Sequence, residues 1–116
     1  MSGTLYSLKA GEPVNTKLRN AETDRLCLAA LSLQTVDECY AFFEDILTVV
    51  ELQSLSQRLA VAQMLDHGEK YEKIEKCTGA SSATIARVKR ALLFGADGYR
   101  LVLDRLAAID KTSASS

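Results

Sequence analysis

The segment from Gly68 to Leu93 restricts the possible folds more than any other part of this 116-residue chain. It contains two runs with the 3.6-residue period of an amphipathic helix. The inward positions of the two runs are Tyr71, Ile74 and Cys77 or Thr78, and then Ile85, Val88 and Leu92. Between the runs, Gly79 permits a tight turn and Ser81 is a favourable N-cap. The pattern predicts a short helix, a turn and a second helix over about 69–93.

The outward positions of the second predicted helix carry small, hydroxyl-bearing and cationic side chains. Projected at about 100° per residue, these positions are Ala83, Ala86, Arg87 and Arg90, with Ser82 and Thr84 near the helix start. Small residues let a helix approach base edges closely, and arginine binds guanine or phosphate. The segment therefore predicts a helix-turn-helix whose second helix enters a DNA major groove. The alternative is a helical hairpin with a solvated, charged side.

Charge is distributed unevenly along the chain, although the formal net charge is only −1. From Glu69 to Arg90, six lysines and arginines oppose three acids, whereas from Glu22 to Glu51 seven acids oppose one base. Any affinity for phosphates must therefore come from the local excess of lysines and arginines at 69–90, because the protein as a whole is not basic. Lys73, Lys76 and Lys89 are expected to support phosphate contact, and Arg87 and Arg90 to contact bases or phosphates. The residues expected to approach bases are Ser81, Ser82, Ala83, Thr84 and Ala86.

Helical periodicity continues on both sides of this segment, and no run alternates as a strand would. The first helix is predicted from about Asn15 to Leu33, and its LCLAALSL stretch is apolar nearly all round, so it needs cover on two sides. Thr35 with Glu38, and Thr48 with Glu51, have capping-box spacing. The inward positions expected for the central helix are Leu52, Leu55, Leu59, Ala62 and Leu65, and those for a last helix from near Asp97 are Tyr99, Val102, Leu103 and Leu106. The fold class is all-α.

One helical domain is expected over 15–110, between two mobile ends. The segment 1–14 contains two glycines and the only proline, Pro13, and predicts a flexible arm. The KTSASS segment at 111–116 predicts a frayed tail.

Other function classes find little support in the sequence. Cys27, Cys39 and Cys77 are scattered within apolar patterns, which predicts reduced packing residues rather than disulfides or metal ligands. His67, the only histidine, stands at a predicted helix end, where a cation is favourable. No apolar run approaches the roughly 20 residues of a membrane helix. We therefore expect a cytoplasmic protein that is neither an enzyme nor metal-binding.

One ordered set of residues carries a resemblance to a known family. The set consists of Leu47-Thr48, Arg58, Leu65, Gly68-Glu69, Gly79-Ala80 and the ATIxR motif from Ala83 to Arg87. In this order the residues resemble the Trp repressor family, most of all its relatives of the YerC/YecD type, over about Leu47 to Leu106. The resemblance implies a six-helix chain that forms an intertwined homodimer with two helix-turn-helix units. Such a dimer would cover the all-round apolar LCLAALSL stretch.

The same resemblance places a possible ligand pocket at Thr48, Arg58, Arg87, Val88 and Ala91. In tryptophan-binding members the indole lies between two arginines, whose positions match Arg58 and Arg87. Val88 stands where those members have a glycine that makes room for the indole, and Ala91 where they have a serine that helps hold the amino group. A branched side chain in a ring-sized slot costs about 1 to 3 kcal/mol. Tryptophan or another small effector is therefore not favoured.

Three of these residues also have simpler explanations. Thr48 caps a helix together with Glu51. Arg58 is a surface cation close to Glu51 or Asp66 on the same helix. Arg87 contacts phosphate.

Together these features predict a homodimeric, sequence-specific DNA-binding transcriptional regulator, a repressor that binds a palindromic operator without tryptophan as corepressor. Its expected partners are double-stranded DNA and a second copy of itself. One alternative is a repressor that responds to tryptophan or another small molecule. The other is a non-enzymatic helical module that docks a protein partner through the same face.

Overall fold

A computed structural model describes residues 16–115 as a chain of helices. A 3-10 turn at Thr16–Leu18 comes first. It is followed by α1 (Ala21–Leu31), α2 (Val36–Ile46), α3 (Val49–Asp66), α4 (Tyr71–Thr78), α5 (Ser82–Phe94) and α6 (Gly98–Ser115). Residues 16–115 contain no strand, so the prediction of a six-helix, all-α chain is confirmed. The predicted arm at 1–14 lies outside the described residues.

The outermost helices differ from their predicted limits. Asn20 caps α1 by accepting a hydrogen bond from the Thr23 amide at 2.8 Å, so the helix begins at Ala21 and not near residue 15. At the other end, α6 continues past the predicted boundary at 110 and reaches Ser115. After Gly98 no glycine or proline interrupts α6, and the serines and threonine of the last turns are tolerated in a helix.

Of the two predicted capping boxes, the one at Thr48 and Glu51 is complete and the one at Thr35 and Glu38 is half formed. The Thr48 hydroxyl accepts from the Glu51 amide at 3.1 Å, and the Glu51 carboxylate accepts from the Thr48 amide at 2.8 Å. The Thr35 hydroxyl accepts from the Glu38 amide at 3.1 Å, but the Glu38 carboxylate accepts from the amide of Gln34 instead, at 2.9 Å. These bonds satisfy amides that a helix start leaves without a partner, and they place the starts of α2 and α3.

The described chain divides between Ser56 and Gln57 into two compact units, and the single helical domain over 15–110 stays a prediction. All of the buried core lies in the second unit. It consists of Val61, Ala62, Ile74, Ala80, Ile85, Val88 and Leu103. Half-buried side chains that pack against it are Leu59, Met64, Leu65, Leu92 and Tyr99. The second unit therefore joins the end of α3 with α4, α5 and α6 around one apolar cluster.

The first unit has no buried residue between 17 and 56. Its large apolar side chains remain accessible in the single chain, including Leu31 at 80%, Val36 at 71% and Tyr40 at 66% of their full exposure. Leu26 and Leu28 are also exposed, so residues 16–115 do not cover the all-round apolar LCLAALSL stretch.

Some residues predicted to point inward are exposed instead. Leu55 in α3 and Val102 in α6 are nearly half accessible. The apolar stripe of each helix is wider than the area that neighbouring helices cover, and these two residues lie at its edge. The cysteines are not core residues: Cys27 and Cys77 are exposed, Cys39 is half-buried, and all three are free thiols. On α4, Thr78 and not Cys77 occupies the half-buried position.

One ion-pair cluster ties the end of α3 to the start of α6. The Arg100 guanidinium donates to both carboxylate oxygens of Asp66, at 2.7 and 2.9 Å, and its Nε donates to Asp104 at 3.0 Å. These bonds from Arg100 lower the pKa of Asp66, and they raise the pKa of Arg100. Asp66 is therefore not the partner of Arg58, and Arg58 forms no ion pair within residues 16–115.

Replacing Arg100 by alanine is expected to lower the free energy of unfolding at pH 7 by about 0.5 to 1 kcal/mol, because the pair is partly exposed. The folded pKa of Asp66 lies below its ordinary 3.8, so this stabilisation is complete above 3.8 and is lost as the pH falls through the folded value. Denaturant titrations of wild type, Arg100→Ala, Asp66→Asn and the double variant, at neutral pH and near pH 2, measure the coupling. A coupling that stays the same at both pH values would contradict the assignment.

Candidate nucleic-acid interface

The turn between α4 and α5 has the geometry that the sequence predicted. Gly79 ends α4 with a left-handed backbone, at φ 72°, and its amide donates to the Glu75 carbonyl at 2.8 Å. Residues with a Cβ rarely adopt this conformation, which explains the glycine. Ser81 then caps α5 by accepting from the Thr84 amide at 3.1 Å. The predicted roles of Gly79 and Ser81 in the turn are confirmed.

The two helices on either side of this turn are held together by dry packing. Ile74 of α4 and Ile85 of α5 are fully buried, and Val88 is 2% exposed. Ala80, within the turn, is 4% exposed. The inward positions predicted for α5 are thus confirmed at Ile85 and Val88, and Leu92 is half-buried. This packing fixes which side of α5 faces away from the protein.

The side that faces away is called here the α5 outer face. It consists of Ser82, Ala83, Ala86, Arg87 and Arg90, all of which are exposed. Neither Arg87 nor Arg90 forms an ion pair within residues 16–115, so both guanidinium groups keep all their donors for an outside partner. The neighbouring alanines and serine are small and would not hold a groove away from the helix.

Ser81 and Thr84 are more engaged than the sequence suggested. Their hydroxyl groups lie 3.1 Å apart and share a hydrogen bond, while the Ser81 hydroxyl also accepts the Thr84 amide. Thr84 is half-buried. The structure therefore gives both residues a capping role at the start of α5, in addition to any contact that they make with DNA.

The lysines predicted to support phosphate contact are not equivalent. Lys73 pairs with Glu69 one helical turn away, with 3.2 Å between Nζ and Oε2. The Nζ of Lys89 lies 5.5 Å from the centre of the Tyr71 ring, a cation–π distance. Lys76 is exposed and has no ion-pair partner in the described chain. Lys70, which the site prediction left out, is also exposed and immediately precedes α4. The sequence did contain a signal for Lys70. The first helix of a helix-turn-helix crosses the DNA backbone, so a lysine at its start is a candidate for phosphate contact.

The residues of the predicted ligand pocket are divided between the two units. Thr48 belongs to the first unit, where its hydroxyl caps α3. The other four belong to the second unit, and there Arg58, Arg87 and Ala91 are exposed. Val88 fills its own position within the core cluster. Its side chain is therefore buried among apolar neighbours.

The first unit contains a concave surface that is lined by no charged residue. It is an open apolar groove of about 250 Å³ lined by Val36, Cys39, Tyr40, Phe43, Leu52 and Ser56. A neighbouring depression shares Tyr40, Phe43 and Leu52 with it. No charged residue lines the groove, so it lacks a group that would bind an ionic ligand.

Within residues 16–115, no group of three or more histidine, cysteine, aspartate or glutamate side chains is placed to hold a metal ion. None of the described helices is both long and apolar enough to cross a membrane.

Comparison with known proteins identifies what kind of protein carries this arrangement. The family model described as Trp repressor protein matches residues 21–107. The Bacillus subtilis protein YerC, described as uncharacterized, is 52% identical over 99 residues that cover 85% of this chain and 95% of YerC.

Two solved structures extend the likeness to three dimensions. One is the crystal structure of a candidate Trp repressor from Staphylococcus aureus, at 51% identity and a TM-score of 0.78, covering 82% of this chain and 96% of that one. The other is a TrpR-like protein from Eubacterium eligens, at 49% identity and a TM-score of 0.78, covering 80% and 96% respectively. With a family match over 21–107 and a relative that is 52% identical over most of both chains, the chain belongs to the Trp repressor family, a family of helix-turn-helix transcription regulators.

Proposed function

We propose that the protein is a sequence-specific DNA-binding repressor that reads DNA through the α5 outer face. The proposal depends on Arg87 and Arg90, whose guanidinium groups form no ion pair within residues 16–115. Both arginines stand beside small residues, on a helix whose opposite side is buried. Arginine forms bidentate hydrogen bonds with guanine in the major groove, and small neighbours permit that approach. Membership in a family of transcription regulators supports the same function. Its relatives come from bacteria, whose DNA lies in the cytoplasm, and we propose the same location for this regulator.

We further propose that a second copy of the chain covers the first unit. Monomeric proteins rarely leave a continuous apolar surface of this kind accessible, and here two whole helices, α1 and α2, contribute no buried residue. A symmetric homodimer would bury these faces against each other and present two copies of α5. Two reading helices related by a twofold axis bind a palindromic operator.

The proposed repressor works without tryptophan as corepressor. Val88 is packed in the core, so an indole at that position would have to displace a buried side chain. Ala91 offers no polar atom beyond its backbone to hold an amino group. The exposed guanidinium groups of Arg58 and Arg87 leave a different, anionic effector as the alternative.

A helical module that binds a protein partner through the α5 outer face is the competing function. The exposed arginines favour DNA over a generic protein surface, but they are also common in protein interfaces. The two functions differ in their dependence on salt. Binding of a duplex releases counterions and weakens steeply as salt is raised, whereas binding of a protein need not.

Replacing Arg87 by alanine is expected to weaken operator binding by about 1 to 3 kcal/mol if the guanidinium contacts a base. A duplex selected from a random pool supplies the operator, and fluorescence anisotropy measures its affinity. Arg19→Ala, which removes an exposed cation that precedes α1, is the control for net charge. An Arg87→Ala variant that binds as tightly as the control would remove Arg87 from the interface.

A lysine introduced into the exposed apolar face of α1 is expected to disrupt the homodimer, because it would bury an unpaired charge. Leu26→Lys should weaken self-association at least about tenfold. Sedimentation equilibrium measures the mass over a range of concentrations. Asp24→Lys, at an exposed acidic position on the opposite side of the same helix, is the matched control. If wild type sediments as a single chain, a homodimer is excluded.

Titration with L-tryptophan is expected to give no stoichiometric heat and no change in operator affinity, because Val88 occupies the required space. Isothermal titration calorimetry of the protein, with tryptophan titrated into duplex alone as control, measures this. Tight binding at one tryptophan per chain, with stronger operator binding, would show that the side chain of Val88 moves aside.

A further inference from the structure

The turn between α4 and α5 is held by a side chain from a third helix. Gln57, in α3, donates a hydrogen bond from Nε2 to the backbone carbonyl of Thr78 at 3.0 Å. The two residues are 21 positions apart in sequence, so the bond depends on the packing of α3 against the turn. Gln57 and Thr78 are both half-buried.

Thr78 links this bond to the rest of the turn. Its hydroxyl donates to the Ile74 carbonyl at 2.6 Å and accepts from the Ala80 amide at 3.1 Å. The Gly79 amide donates to the Glu75 carbonyl at 2.8 Å. These bonds fix the backbone from the last turn of α4 to the residue before Ser81, and Gln57 supplies the only donor that comes from outside the α4–α5 segment among the hydrogen bonds described for this turn.

Small errors at this turn would be enlarged along α5. The helix has 13 residues, and a rise of about 1.5 Å per residue makes it roughly 20 Å long. A tilt of about 10° at the turn would move Arg90 by about 2 Å. A bidentate contact with a base edge tolerates much less than that, because hydrogen bonds weaken steeply with distance and angle.

We propose that Gln57 is a positioning residue for DNA reading. Its hydrogen bond to Thr78 fixes the direction of the α5 axis after the turn, and this aligns Arg87 and Arg90 with their bases. The proposal rests on the proposed function. Gln57 lies in α3, the helix that contains the boundary between the two units, and it is the first described residue of the second unit. Gln57 itself contacts no DNA.

The test replaces the amide while keeping its size. Gln57→Met removes the donor, and Gln57→Glu puts a carboxylate that cannot donate opposite the Thr78 carbonyl. Gln63→Met, at a half-buried position on the same helix whose side chain has no described hydrogen bond, is the matched control. Affinity is measured for the selected operator and for an unrelated duplex of equal length.

Gln57→Met and Gln57→Glu are expected to bind the operator about tenfold more weakly, with binding of the unrelated duplex unchanged, because the cations that contact phosphate remain. A purely structural role would lower the melting temperature and reduce binding of both duplexes together. The Gly79 and Ala80 amides should also exchange with deuterium faster in both variants than in Gln63→Met.

Thr78 provides an independent variant should Gln57→Glu fail to fold. Thr78→Val removes the hydroxyl and is expected to reduce operator preference as Gln57→Met does, whereas Thr78→Ser keeps the hydroxyl and should restore it. If wild type selects a duplex and Gln57→Met selects it equally well, the positioning role is overturned while the DNA-binding function stands. If wild type prefers no duplex over another, the proposed function itself is overturned.

Discussion

The contact between α4 and α5 is the interaction on which the rest of this structure depends. Ile74 meets Ile85 and Val88 in a cluster from which water is excluded. Complete burial of such a side chain contributes about 1.5 to 3 kcal/mol, whereas a partly exposed ion pair contributes about 1 kcal/mol or less. The apolar contact therefore decides the orientation of α5, and the polar bonds of the turn refine it. With the inner side of α5 fixed, Arg87 and Arg90 can only face outward.

The two units of the chain differ in what holds them together. The second unit has a core built from four helices, but the first has no buried residue between 17 and 56. Small units bury a low fraction of their surface, and two helices alone cannot enclose an apolar interior. The exposed face of α1 and the apolar groove on α2 and α3 are consistent with the proposed homodimer. In that case the palindromic form of the operator would follow from how the first unit is covered.

The lysines and arginines near α5 differ in whether another side chain of the protein already contacts them. Glu69 holds Lys73, and the Tyr71 ring holds Lys89, while the two arginines and Lys76 have no ion-pair partner within residues 16–115. A count of lysines and arginines along the sequence treats them alike and so overstates the number available to phosphates. The proposed role of Gln57 adds a further distinction, because a neutral residue far from the outer face would control how well the arginines reach their bases.

Features that depend on neighbours within one or two helical turns could be predicted from the residues alone: the all-α class, the cap at Ser81, the turn at Gly79 and the buried side of α5. Periodicity and capping are local, and so they can be seen in the residues directly. Which distant groups meet could be seen only in the folded chain. The bond from Gln57 to Thr78 spans 21 positions, and that from Arg100 to Asp66 spans 34. The exposure of Leu55 and Val102 likewise depends on how far each packing contact extends, because a helical stripe shows which side is apolar but not how much of it a neighbouring helix covers.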